Sequence, residues 1–282
     1  MLIEYLKAFV FGIVEGITEW LPISSTGHLI LLEELIALRI ADGELAVRYR
    51  ALFDVVIQLG AILAVIALYR KKLISPGKAS RSLYQKLVLA TLPSALIGLC
   101  ADALCERYLS TDLGALLFRP YIVASCLVAY GFLFILIERL SSQSNITPST
   151  DEISCKRAFA IGCFQSLALI PGTSRSGATI LGARMLGISR ASATEFSFFA
   201  AIPVIFGASA FEILDFCKFT ADTQTKLSSE MLSLLLFAGA VAFFVSLICI
   251  KFLTEFVRRH TFICFGIYRI ILGIAVFIFI DH

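Results

Sequence analysis

Apolar residues fill this chain in blocks long enough to cross a bilayer, and polar positions fall between the blocks or in two short breaks within them. A membrane-spanning helix needs about 20 mostly apolar residues. Four stretches meet that length, near 51–69, 120–137, 231–250 and 262–280. Two more, near 86–104 and 195–214, qualify although each holds a proline, Pro93 and Pro203. Neighbouring helices can satisfy the backbone groups that such prolines free. The pattern therefore predicts an all-α polytopic membrane protein with about six transmembrane helices.

Regions 8–38 and 157–190 are also apolar, but each is interrupted, by LPISSTGH at 21–28 and by IPGTSRSGAT at 170–179. Irregular backbone at membrane depth survives only where protein or a water-filled cavity surrounds it. Each region is therefore expected to form a re-entrant helix pair. A shift of 150 positions sets Glu15 on Gln165, Ser24 on Ser174, Thr26 on Ser176 and Gly27 on Gly177. Paired broken segments of this kind point to an inverted-topology repeat with a site near the midplane. The expected organisation is one membrane domain, 1–282, with halves at 1–137 and 157–282.

Composition agrees with this reading. The chain is 59% hydrophobic and 16% charged, against about 25% charged in soluble domains. A net charge of +3 is too small to suggest nucleic acid as a partner. Lys and Arg number 12 on the loops predicted to be cytoplasmic (70–86, 138–157 and 251–261) and 7 on the opposite side. That bias sets the expected orientation, with the first break entering from outside and the second from inside. None of the eight cysteines forms a CxxC pair, so neither a disulfide framework nor a zinc site is predicted. The N-terminal stretch is interrupted by Glu4, Glu15 and Glu19 and is expected to be mature protein, not a signal peptide.

The breaks carry the candidate chemistry. Glu15 and Glu19 are four residues apart and share a helix face; two carboxylates at membrane depth are suited to sharing a proton or holding a divalent cation. Ser24, Ser25, Thr26, Gly27 and His28 follow. Their hydroxyls beside an imidazole can form a nucleophile with its proton acceptor, or a phosphate-binding turn. In the second break Arg175 sits between Ser174 and Ser176, with Gly177 and Thr179 opening a helix. A helix N-terminus and a guanidinium fork both suit phosphate oxygens. Gln58 is expected as a helix-packing amide, Glu195 and Arg269 as ion-paired residues, and Arg184 and Arg190 as interface anchors. The whole set fits metal-assisted phosphoryl chemistry.

At EGITEWLPISSTGHLIL (15–31), FDVVIQLGAILAV (53–65), PGTSRSGATI (171–180) and ASATEFSFFAAIP (191–203) the chain resembles the undecaprenyl-diphosphatase family, also called the bacitracin-resistance protein family. The resemblance implies hydrolysis of undecaprenyl diphosphate to the monophosphate and inorganic phosphate, which recycles the lipid carrier for peptidoglycan and confers bacitracin tolerance. It also implies a divalent cation (Mg²⁺ or Ca²⁺) and a location in the bacterial cytoplasmic membrane with the site open to its outer side. By motif position it places the functional residues on Glu15, Glu19, Ser25, His28, Ser174, Arg175 and Thr179. Expected partners are the polyprenyl diphosphate lipid, membrane lipids and a second copy of the chain as a homodimer. A transporter of polyprenyl phosphates using the same site is the rival expectation.

Overall fold

The computed structural model describes residues 1–74, 77–109, 117, 119–140, 150 and 153–280. Residues 141–149, 151 and 152 of the loop expected at 138–157, and residues 281–282, lie outside the described residues. The helices are α1 (Leu2–Thr18), α2 (Ser25–Ile36), α3 (Gly43–Ile74), α4 (Lys78–Leu109), α5 (Pro120–Leu140), α6 (Cys155–Gln165), α7 (Arg175–Met185), α8 (Arg190–Thr223), α9 (Ser229–Arg259) and α10 (Ile263–Ile280). A 3₁₀ turn, Ser166–Leu169, extends α6.

Serine starts many of these helices. Ser24, Ser154, Ser174, Ser189 and Ser228 each accept a hydrogen bond from the backbone N–H three residues on. That satisfies one of the donors left open at a helix start. By length and apolarity α3, α4, α5, α8 and α9 can each cross a membrane. Pro93 and Pro203 lie inside α4 and α8, which continue past them. The sixth expected span, α10, has 18 residues, roughly 27 Å against a hydrocarbon core of about 30 Å. The protein is a multi-pass membrane protein, and both broken regions take the form helix, break, helix.

Close packing between helices rests on small residues, as it does where lipid removes any hydrophobic preference for one neighbour over another. Helix α1 lies along α9 and α6 along α4; α3 packs on α8 and α9, and α5 on α10. A Cβ at Gly12 or Gly16 would come within 2.7 or 2.8 Å of the Ala238 or Ala242 carbonyl on α9. At Gly60 it would overlap the Gly239 backbone, the tightest of these crossings. Gly60→Ala gains about 1 kcal/mol of helix propensity but must force α3 and α9 apart, and overpacking against backbone costs about 1–3 kcal/mol. The expected result is a lower melting temperature in detergent, followed by circular dichroism; an unchanged or raised value would show that the crossing yields.

Arg184 and Arg190, expected as interface anchors, share one acid. Both bind Glu138 of α5, with Arg184 Nε 3.2 Å from one carboxylate oxygen and Arg190 Nε 2.8 Å from the other. Glu138 is buried there, so two cations surround the acid that joins α5 to α7 and α8. Glu195 is ion-paired as expected, to Lys72 at 3.3 Å, and it also accepts from Thr150.

Candidate active site

Each break ends on a serine with the same unusual backbone. Ser24 has φ 73°, ψ 98°, and Ser174 has φ 70°, ψ 121°. A non-glycine residue held at positive φ costs on the order of 1–3 kcal/mol, and its cap returns about 1 kcal/mol. Surrounding structure must hold both turns.

Arg269 of α10 does so. It is fully buried, and its guanidinium donates to the carbonyl of Pro22 at 3.2 Å, of Gly172 at 2.7 Å and of Thr173 at 2.9 Å. One side chain therefore ties the first break to the second. Its guanidinium carbon also lies 5.4 and 5.9 Å from the ring centroids of Tyr130 and Phe134. Among the described residues Arg269 makes no ion pair, contrary to the expectation; backbone carbonyls take the place of an acid.

With the breaks joined, the N-termini of α2 and α7 open on one cleft of about 190 Å³. Ser25, Thr26, Ser174, Arg175 and Ser176 line it, together with Glu19. Two helix starts, each with free N–H groups and a positive dipole end, therefore face one space, an arrangement that favours an anion. The volume lies below the roughly 300–1,000 Å³ of sites that enclose a drug-sized ligand. A phosphate-bearing headgroup suits it; a long lipid chain would remain outside.

An ion pair closes the cleft across 156 positions of sequence. Arg175 Nη2 lies 2.9 Å from Glu19 Oε1, and Nη1 donates to the Ser197 carbonyl at 2.8 Å. Ser25 Oγ donates to the other Glu19 oxygen at 3.0 Å. The pairing expected between Ser25 and His28 is not what forms. His28 Nδ1 lies 2.7 Å from the Ser24 carbonyl, and Nε2 lies 2.7 Å from the Tyr268 hydroxyl. His28 stacks on Tyr268 and is not among the residues lining the cleft.

Other predicted residues take supporting positions. Thr179 is buried behind Arg175, bonded to the Ser197 hydroxyl at 2.7 Å and to the Arg175 carbonyl at 2.9 Å. It thereby sets the segment that receives the Arg175 fork. Ser24 is fully buried as a cap. Gly27 and Gly177 donate their N–H groups to the two capping serines, at 3.4 and 3.1 Å.

Glu15 is fully buried, and neither of its carboxylate oxygens has a hydrogen-bond partner. It lies within electrostatic reach of Glu19, Asp54 and Arg175. A buried carboxylate without donors has oxygens free for a hard cation. Among the described residues no group of three or more His, Cys, Asp or Glu gathers to hold a metal. Glu15 and Glu19 are therefore the two carboxylates that could hold a divalent cation; Glu19 lines the cleft, and Glu15 is buried behind it.

Gln58, expected to pack between helices, lines the cleft with Ser94 and Gln165. The Gln165 amide donates to Ser94 Oγ at 3.1 Å and to the Ala90 carbonyl at 3.2 Å. The 150-residue shift that pairs Gln165 with Glu15 was a signal for it. Tyr268 had none, because it matters through a partner far away in sequence; Ser197 was visible only as part of the stretch 191–203 and Arg269 only as a charge in an apolar segment.

Against known proteins, residues 8–275 match the family model described as Bacitracin resistance protein BacA. The chain is 46% identical to an undecaprenyl-diphosphatase of Enterococcus faecalis over 97% of its own length and 96% of the relative's. To one of Acetivibrio thermocellus it is 47% identical, over 99% and 98%. To one of Streptococcus mutans it is 47% identical, over 96% and 94%.

Proposed function

This chain belongs to the bacitracin resistance protein BacA family, and from that membership and its cleft we infer that it is an undecaprenyl-diphosphatase. It hydrolyses undecaprenyl diphosphate to undecaprenyl phosphate and inorganic phosphate, recycling the lipid carrier of cell-wall synthesis. The observation that carries this is the convergence of two helix N-termini, Arg175, Glu19 and Ser25 on one small cleft. The relatives are named for hydrolysis, and the transporter alternative draws no support from them.

In the proposed reaction the diphosphate enters between the two helix starts, and its isoprenoid tail stays in lipid. Arg175 and the free N–H groups of α2 and α7 neutralise charge on the transferring phosphoryl group. Ser25 Oγ attacks the terminal phosphorus, and the phosphorus–oxygen bond to undecaprenyl phosphate breaks. The hydroxyl proton passes to Glu19 Oε2, already 3.0 Å away. Water then hydrolyses the phosphoserine, releasing inorganic phosphate and restoring the hydroxyl. His28, bound at both nitrogens, positions α2 in this scheme and leaves the proton to Glu19. Glu15 and the spare lone pairs of Glu19 would hold a divalent cation, Mg²⁺ or Ca²⁺, which supplies further charge neutralisation on the diphosphate when bound.

Two further parts of the proposal concern architecture. The common turn geometry at Ser24 and Ser174 and the exchanged packing of α1 on α9 and α6 on α4 support an inverted repeat. The Lys and Arg bias of the loops supports the orientation of the chain, and the opening of the cleft to the outer face of the cytoplasmic membrane is implied by the family resemblance alone.

The test is phosphate release by purified protein in detergent with undecaprenyl diphosphate, with and without EDTA. Release that EDTA abolishes and added Mg²⁺ or Ca²⁺ restores is the expected result; no release under any metal would overturn the assignment. Ser25→Ala is expected to lower the rate by about a thousandfold or more, as removal of a catalytic nucleophile does. Full turnover by that variant would assign the attack to water.

A further inference from the structure

A second concavity lies apart from the catalytic cleft, where the last turns of α3 and α9 meet. Its volume is about 300 Å³. The wall from α9 is one helix face, formed by Lys251, Thr254, Glu255 and Arg258 at i, i+3, i+4 and i+7. Leu68 and Tyr69 of α3 form the opposite wall, with Ile250 beside them. One side of this space is therefore apolar and the other cationic.

The charges on it are unbalanced. Glu255 pairs with Arg259, outside the pocket lining, at 2.8 Å. Among the described residues neither Lys251 nor Arg258 makes an ion pair. Cations at a helix C-terminus are favourable against the dipole, and that alone explains a charged final turn. It does not explain two cations lining a concavity opposite a fixed tyrosine.

Tyr69 is fixed on two counts. It is the residue at which α3 departs from helical geometry, with φ −103° and ψ 15°. Its ring then packs edge-on against Phe199, with centroids 5.1 Å apart, and lies 6.5 Å from Phe198. The departure of α3 thus presents a hydroxyl-bearing wall to the cationic face of α9. Lys251 lies just past the apolar stretch 231–250, so the pocket stands at the level where lipid headgroups meet the bundle.

We propose that this pocket binds the headgroup of an anionic phospholipid, with the phosphate on Lys251 and Arg258 and the start of an acyl chain on Leu68. Basic pockets between membrane helices recognise anionic headgroups through this combination of charge and apolar wall. None of the pocket residues belongs to the catalytic cleft, so binding here is separable from hydrolysis.

The test is native mass spectrometry of the purified full chain in detergent, offered phosphatidylglycerol and phosphatidylcholine at equal concentration, and separately inorganic phosphate alone. At about 1 kcal/mol per basic residue near an anionic lipid, two cations correspond to a preference of about 30-fold for phosphatidylglycerol. Lys251→Gln with Arg258→Gln is expected to erase that preference while phosphate release from undecaprenyl diphosphate continues. Lys251→Arg with Arg258→Lys is expected to keep it. Equal binding of the two lipids by the unaltered protein overturns the proposal, as does a preference that survives the double glutamine substitution. Loss of the preference in the charge-conserving pair would indicate a packing role and also overturn it. Saturation by inorganic phosphate without lipid preference would assign the pocket to a soluble anion instead.

Discussion

Arg175→Lys is expected to leave the protein folded and to lower phosphate release by at least about a hundredfold. The charge is conserved, so a loss of this size isolates the fork. The guanidinium meets Glu19 with one terminal nitrogen and the Ser197 carbonyl with the other. An ammonium is a single point donor and cannot hold both while facing a phosphate. Removing one donor from a preorganised charge-stabilising site costs roughly 10²–10³ in rate, and arginines that neutralise a transferring phosphoryl group contribute about 10³–10⁵. The check is the rate of release from undecaprenyl diphosphate beside a thermal melt. A variant with an unchanged melt and near-normal turnover would show that only net charge is needed at this position.

Arg269→Lys is expected to fail differently, by loss of stability. This side chain is fully buried and serves three carbonyls, Pro22 from the first break and Gly172 and Thr173 from the second. Lysine could reach some of them, but not with the planar fork that spans both segments. Each buried carbonyl left without a donor costs about 1–3 kcal/mol. The strained turns at Ser24 and Ser174 would lose what holds them. Melting temperature and phosphate release should fall together. A lysine variant that melts normally yet does not turn over would move Arg269 into the catalytic group. The two substitutions thus separate a residue that acts on substrate from one that builds the place where substrate sits.

The residues already visible as chemistry in the sequence were those with local signatures. Glu15 and Glu19 stood out as acids one helical turn apart in an apolar stretch, and Arg175 as a cation between glycines where a helix opens. The partners of these residues were not visible. Ser25 was paired with His28 because three residues separate them, yet the folded chain gives Ser25 to Glu19 and His28 to Tyr268, 240 residues away. Arg269 was read as half of an ion pair because it sits in a membrane span; three backbone carbonyls proved sufficient among the described residues.

The sequence by itself determined that the chain crosses a membrane, roughly where it crosses, and where its helices are interrupted. Those properties depend on transfer of contiguous segments into lipid and on local backbone chemistry, so hydropathy, proline, glycine and serine spacing are enough to read them. The tertiary structure alone decided that two strained serine turns meet at one cleft, that Glu19 and Arg175 close it, and that Arg269 ties the turns together. Those properties depend on which helix faces approach most closely. That approach is set by glycine crossings such as Gly60 on Gly239, between residues whose proximity no local pattern along the chain encodes.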